Sequence, residues 1–128
     1  MIRVEVSNMN LIMSSRELFL ILDDCKKRFE SINQKPEKTE ELFYQDVKPM
    51  FELALDKVQM WKPLAEEWVK MNKPKYIHSA QIDSTIDNIE QIVLQSFYKD
   101  INKQRFHNLY NSVEYVLSSI LSEIECSQ

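Results

Sequence analysis

No glycine occurs anywhere in these 128 residues, and that absence removes most ways of reversing a chain sharply. Two-residue hairpin turns need positive φ at one or both central positions, which glycine adopts without steric penalty. An all-β fold would therefore lack its best turn residue. Helices can end on asparagine instead, and Asn33, Asn72 and Asn102 stand where helix ends are expected. The chain is expected to be all-α and, at this length, to form one domain that buries roughly two thirds of its unfolded surface.

The stretch Lys73-Pro74-Lys75-Tyr76-Ile77-His78 divides the chain into two helical halves. Pro74 lacks a backbone donor and biases Lys73 away from α geometry, so a helix should stop there. Before it, residues 1–8 alternate Ile2, Val4 and Val6 with polar residues. With no second strand pattern to pair with, they read as a loose N-terminal arm, followed by a helical domain over 9–128. Leu11, Ser15, Leu18, Leu22, Cys25, Phe29 and Ile32 step by four and three, which puts them on one face of a long helix over 9–32. A short helix is predicted over 39–47, with Thr39 as its N-cap and Leu42 and Phe43 facing inward.

The second long helix carries a seam of Val47, Phe51, Ala54, Val58, Trp61, Ala65 and Trp68. Asp46 is placed to cap it, and Pro49 falls in its first turn, where a missing N–H costs little. The seam keeps its phase across Pro63, which favours a kink over a break. His78 or Ser79 should cap a third helix with seam Ile82, Ile86, Ile89, Val93, Phe97 and Ile101. A turn near Asn102 leads to a fourth, carrying Phe106, Leu109, Val113, Val116, Ile120 and Ile124. Long amphipathic segments with short connections predict a four-helix up-and-down antiparallel bundle, with a short extra helix before the second long one.

The net charge of −4 argues against duplex nucleic-acid binding, which depends on neutralising phosphates. Cys25 and Cys126 form no CxxC pair, and two free thiols without a secretion signal fit a reducing cytoplasm. Ser14, Ser15, Arg16 and Glu17 interrupt the apolar run over 11–22, so no membrane span is expected. His78 and His107 lack the Glu-x-x-His spacing of bundle metal sites, since Lys75 and Gln104 occupy those positions. They also sit near opposite ends of the third helix, about 30 Å apart at a rise of ~1.5 Å per residue. Asp83, Asp87 and Glu90 follow one straight helix and cannot converge on a cation, so they read as a solvated face. Neither metal nor cofactor is expected, and no motif for an enzyme is present.

The central stretch, with Gln81-Ile82, Val93-Leu94-Gln95-Ser96-Phe97, Lys103 and Arg105-Phe106, resembles the YppE-like family of small uncharacterised bacterial helical-bundle proteins. Lys48-Pro49 and Trp61 fall in register with it as well. The resemblance implies an up-and-down four-helix bundle in a bacterial cytoplasm and carries no established chemistry.

Two surfaces could bind something. Beside its seam the second long helix carries Met50, Leu53, Met60, Leu64 and Met71, widening its apolar arc to roughly 200° where a bundle face needs little more than 100°. Either the short helix folds back over this stripe, or a second copy of the chain or another protein covers it. Three thioethers suit varied partners. The other candidate is anion binding by Lys99, Lys103 and Arg105, with Tyr98 and Phe106 interleaved. Cations near helix C-termini are also favoured by the macrodipole, and this capping reading is preferred. An interaction or adaptor module is thus the expected function, with a binder of an anionic ligand or single-stranded nucleic acid as the alternative.

Overall fold

The structure, a computed structural model, describes the backbone of residues 2–126 and the side chains of 6–125. Four long helices, α1 (Ile2–Ser31), α3 (Lys48–Asn72), α4 (Ser79–Tyr98) and α5 (Lys103–Cys126), build an all-α bundle, and no strand occurs among the described residues. A three-residue helix, α2 (Glu40–Leu42), precedes α3. α1 runs in the opposite sense to both α3 and α5. Ser15 meets Trp61 while Glu17 meets Lys57, and Phe29 stacks on Phe106 while Arg16 reaches Glu125. α1 packs against α3, α4 and α5, more closely against α4 than against α5.

The helix predicted to begin at residue 9 begins at Ile2, so the expected arm is helical instead. A short apolar alternation without a neighbouring strand leaves its backbone groups unpaired, whereas each residue added to an existing helix gains a hydrogen bond. Met1, the side chains of Ile2 and Val4 that carried the alternation, and the Cys126 side chain lie outside the described residues.

The short helix over 39–47 is not a separate element either. Thr39 caps it as expected, its Oγ1 accepting from the Leu42 N–H at 3.1 Å. After α2 the chain makes one π-helical turn over Phe43–Val47 and runs directly into α3. The Lys48 N–H donates to the Phe43 carbonyl five residues back. Counting back from Val47 at 3.6 residues per turn puts Phe43 inside, but the wider turn shifts that phase. Leu42 packs on the core, while Phe43 is 39% exposed. Because the helix never breaks there, Asp46 has no N-terminus to cap.

The seams meet in one core. Leu11, Leu18, Leu22, Cys25 and Phe29 of α1 face Trp61, Ala65 and Trp68 of α3, together with buried residues of α4 and α5. Ser15 is fully buried because its Oγ accepts from Trp61 Nε1 at 3.0 Å, which satisfies an indole donor that would otherwise be stranded. α3 continues through Pro63. Pro63 and Gln59, whose carbonyl loses its helical partner, are both exposed, so water can replace the missing bond.

Without glycine, the left-handed positions that end two helices fall to lysine. Lys73 after α3 has φ 46°, Lys99 after α4 has φ 50°, and the N–H of each closes on a carbonyl four residues back at 2.9 Å. The asparagines expected there do other work. Asn72 Nδ2 donates to the Trp68 carbonyl, and Asn102 Oδ1 accepts from the Arg105 N–H as an N-cap of α5.

Candidate protein-interaction surface

The α3 stripe is not covered by a helix folding back, because α2 and the π turn extend α3 instead. Leu53, Met60 and Met71 are 44, 61 and 67% exposed, and Met50 and Leu64 are half-buried. One ion pair shows what the stripe borders: Lys57 Nζ of α3 lies 3.1 Å from a Glu17 carboxylate oxygen of α1. Residues three and four apart share a helix face. Leu53 and Met60 stand four before and three after Lys57, with Leu64 a turn further. Met13 and Leu20 stand at the same offsets from Glu17. The pair therefore ties the two helices together between an apolar stripe on α1 and another on α3.

The α1 stripe continues through Met9 to Val6, and all four of its side chains are exposed, Leu20 at 72%. It escaped the sequence reading, which followed the buried seam on the opposite side of α1. Its signal was there in the i+4 and i+7 spacing of Met9, Met13 and Leu20.

Each end of the α3 stripe opens into a depression. Near the N-terminal end of α1, Ser7 and Asn8 with Leu64, Trp68 and Met71 line a cavity of about 480 Å³. At the other end Arg28, Ile32, Leu42, Met50, Leu53 and Phe97 help line an open groove of about 820 Å³. Arg28 is fixed there, donating to Ser96 Oγ at 3.0 Å, pairing with Asp24 and lying 4.1 Å from the Phe97 ring centroid.

Lys99, Lys103 and Arg105 do not converge. Lys99 turns inward, its Nζ donating to the Phe29 carbonyl at 3.1 Å and to the Ile32 carbonyl, 4.6 Å from the Phe29 ring centroid. It thus caps the C-terminal end of α1 as well as ending α4. Lys103 and Arg105 are exposed, and two positions along a helix place them on roughly opposite sides. Beside them Asp100 pairs with Lys35 at 2.6 Å and Lys38 at 2.8 Å. Hydrogen bonds from these two lysines hold its carboxyl below the usual range.

The central joint serves as a turn. Lys73 supplies the left-handed residue, and Ile77 is buried. Lys75 lies 5.3 Å from the exposed Tyr76 ring centroid. His78 starts α4 through its backbone, with its N–H donating to Gln81 Oε1 at 2.6 Å and its carbonyl accepting from the Gln81 N–H. Asp83 pairs with Lys62 at 3.5 Å. Burial pushes the Cys25 thiol up from its ordinary value, against hydrogen bonding to Ser96 and the nearby Arg28 charge. No helix among the described residues is long and apolar enough to cross a membrane.

The sequence family described as a bacterial domain of unknown function (DUF1798) matches residues 15–124. The uncharacterised protein YppE of Bacillus subtilis is 37% identical over 82 residues, covering 64% of this chain and 67% of that protein. Its crystal structure superposes with a TM-score of 0.80 at 28% identity, over 94% of this chain and 98% of that one. A Listeria innocua protein of unknown function shares the fold at a TM-score of 0.85 and 22% identity, over 95% and 96% of the two chains. A Staphylococcus aureus domain of unknown function matches at 0.75 and 25%, over 89% and 95%.

Proposed function

We propose that this chain, which belongs to the DUF1798 family of bacterial domains of unknown function, is a protein-interaction module that docks a partner on the α1–α3 face. The supporting observation is the paired stripes on either side of Glu17–Lys57, exposed over most of their length. A monomer gains nothing by leaving aligned methionines and leucines in water, and contiguous apolar surface of this kind marks interaction sites. Thioether side chains suit such a face because they adapt to the shape laid on them.

The role is binding rather than catalysis. Support for this comes from Cys25, whose thiolate is disfavoured by burial. A buried free thiol also suits a reducing cytoplasm. The anionic-ligand alternative would rest on Lys103 and Arg105 alone, with Lys99 engaged in capping α1.

The test is affinity capture from a bacterial lysate with wild-type protein and with Met13→Asp/Met60→Asp as bait. Both changes fall on exposed side chains, so the variant should melt within a few degrees of wild type. The reading expects a protein recovered by wild type and lost by the variant. Equal recovery of every protein by both baits would refute it.

A further inference from the structure

The charges bordering these stripes say what kind of chain fits them. On the side of the α3 stripe away from α1, Glu52, Asp56 and Glu67 follow one another at spacings of four and eleven, close to whole helical turns. Asp56 and Glu67 have no ion-pair partner among the described residues, and Glu52 has only Lys48 at 3.9 Å. Lys70 adds one positive charge near the far end of this border.

Several charges of α1 between Arg16 and Arg28 are paired. Arg16 pairs with Glu125, Lys27 with Asp23, Arg28 with Asp24, and Glu17 with Lys57 of α3. The face therefore presents two apolar stripes on either side of the Glu17–Lys57 pair, with an acidic edge along α3 and paired charges along α1.

We infer that the partner docked here is a basic amphipathic helix, with its apolar stripe on Met13, Leu20, Met60 and Leu64 and its lysines or arginines along Glu52, Asp56 and Glu67. This deepens the interaction-module reading and rests on it. The α3 stripe from Leu53 to Met71 spans about 27 Å at ~1.5 Å per residue, the length of roughly 18 helical residues. A helix laid in an apolar groove contacts it through positions i, i+3, i+4 and i+7. That leaves its flanks to read the charge along the edge. A second copy of this chain fits less well, because the same face of the copy carries the same acidic edge along α3 and mostly paired charges along α1.

Three synthetic 18-residue peptides test this. They share one leucine- and methionine-rich stripe and differ in having a lysine, glutamate or glutamine polar face. Fluorescence anisotropy follows their binding to wild type, to Asp56→Lys/Glu67→Lys and to Met13→Asp/Met60→Asp. The basic peptide should bind wild type roughly three- to tenfold tighter than the neutral one, as a few exposed charge pairs allow. That preference should shrink as salt rises. It should vanish or invert in Asp56→Lys/Glu67→Lys, and the apolar-face variant should bind no peptide. If the lysine variant melts early, Asp56→Asn should still show a smaller loss of preference.

Equal binding of all three peptides overturns the basic helix but leaves the interaction module standing. So does self-association of wild type, seen by light scattering and abolished by Met13→Asp/Met60→Asp, in the absence of peptide binding. Neither peptide binding nor self-association would remove the basic helix, while lysate capture decides the module separately.

Discussion

Two faces of α3 are built from similar material and meet opposite fates. Val58, Trp61, Ala65 and Trp68 are closed into the core, whereas Leu53, Met60 and Met71, about a quarter to a third of a turn around the same helix, stand in water. Neither hydrophobicity nor spacing distinguishes them. Position in the bundle does: one face looks across at α1, α4 and α5, and the other looks out along the α1 edge. An apolar stripe is therefore evidence of a surface that needs covering, and only its neighbours reveal whether the fold covers it.

The sharpest way to break this contrast is to remove the largest side chain of the inner face. Trp61→Ala should cost on the order of 3–5 kcal/mol, as truncations of buried aromatics do, measured by urea denaturation. A loss below ~1 kcal/mol would mean that the two faces are not so different. Ser15→Ala is subtler. It leaves the Trp61 N–H buried without an acceptor, for an expected loss of about 1–3 kcal/mol, and Trp61→Phe should largely cancel that penalty in a double-mutant cycle.

On the outer face the effects should fall with exposure. Leu64→Asp, at a half-buried position, should lower the melting temperature by several degrees for a loss of roughly 1–2 kcal/mol. Met60→Asp should stay within about 0.5 kcal/mol of wild type. If Met60→Asp melted as early as Leu64→Asp, the outer stripe would be contributing to the fold and not to docking.

Much of this architecture was legible beforehand because burial repeats with the helical period. Steps of four and three picked out Leu18, Trp61, Ile89 and Val113, and all four are buried. The π turn was not legible. Its extra residue per turn shifts the phase between Leu42 and Val47, and a count at 3.6 residues per turn misplaces Phe43.

The lysine caps were equally hidden, since left-handed geometry is costly for a residue with a Cβ and is not suggested by its chemistry. At the candidate site, the α3 stripe could be read from helical spacing alone. The spacing of Met9, Met13 and Leu20 marked an α1 stripe as well, but its place beside the α3 stripe became visible only once Glu17–Lys57 showed which sides of the two helices adjoin. The expected cation cluster dispersed for the same reason: nearness of Lys99 to Lys103 along the chain says nothing about which way each side chain turns.

The Lys99 side chain has a consequence for chain continuity. It grips the last carbonyls of α1 from a helix end some seventy residues away, while Lys35 and Lys38, just beyond α1, converge on Asp100. The segment between α1 and α2 is thus held at both edges by the α4–α5 joint, and the peptide bonds running through it add little to the positioning of α1. A chain severed between Gln34 and Lys35 should still assemble. The two fragments, each poorly structured alone, should recover the helical circular dichroism of the intact protein on mixing, and Lys99→Met should weaken that recombination more than it weakens the uncut chain.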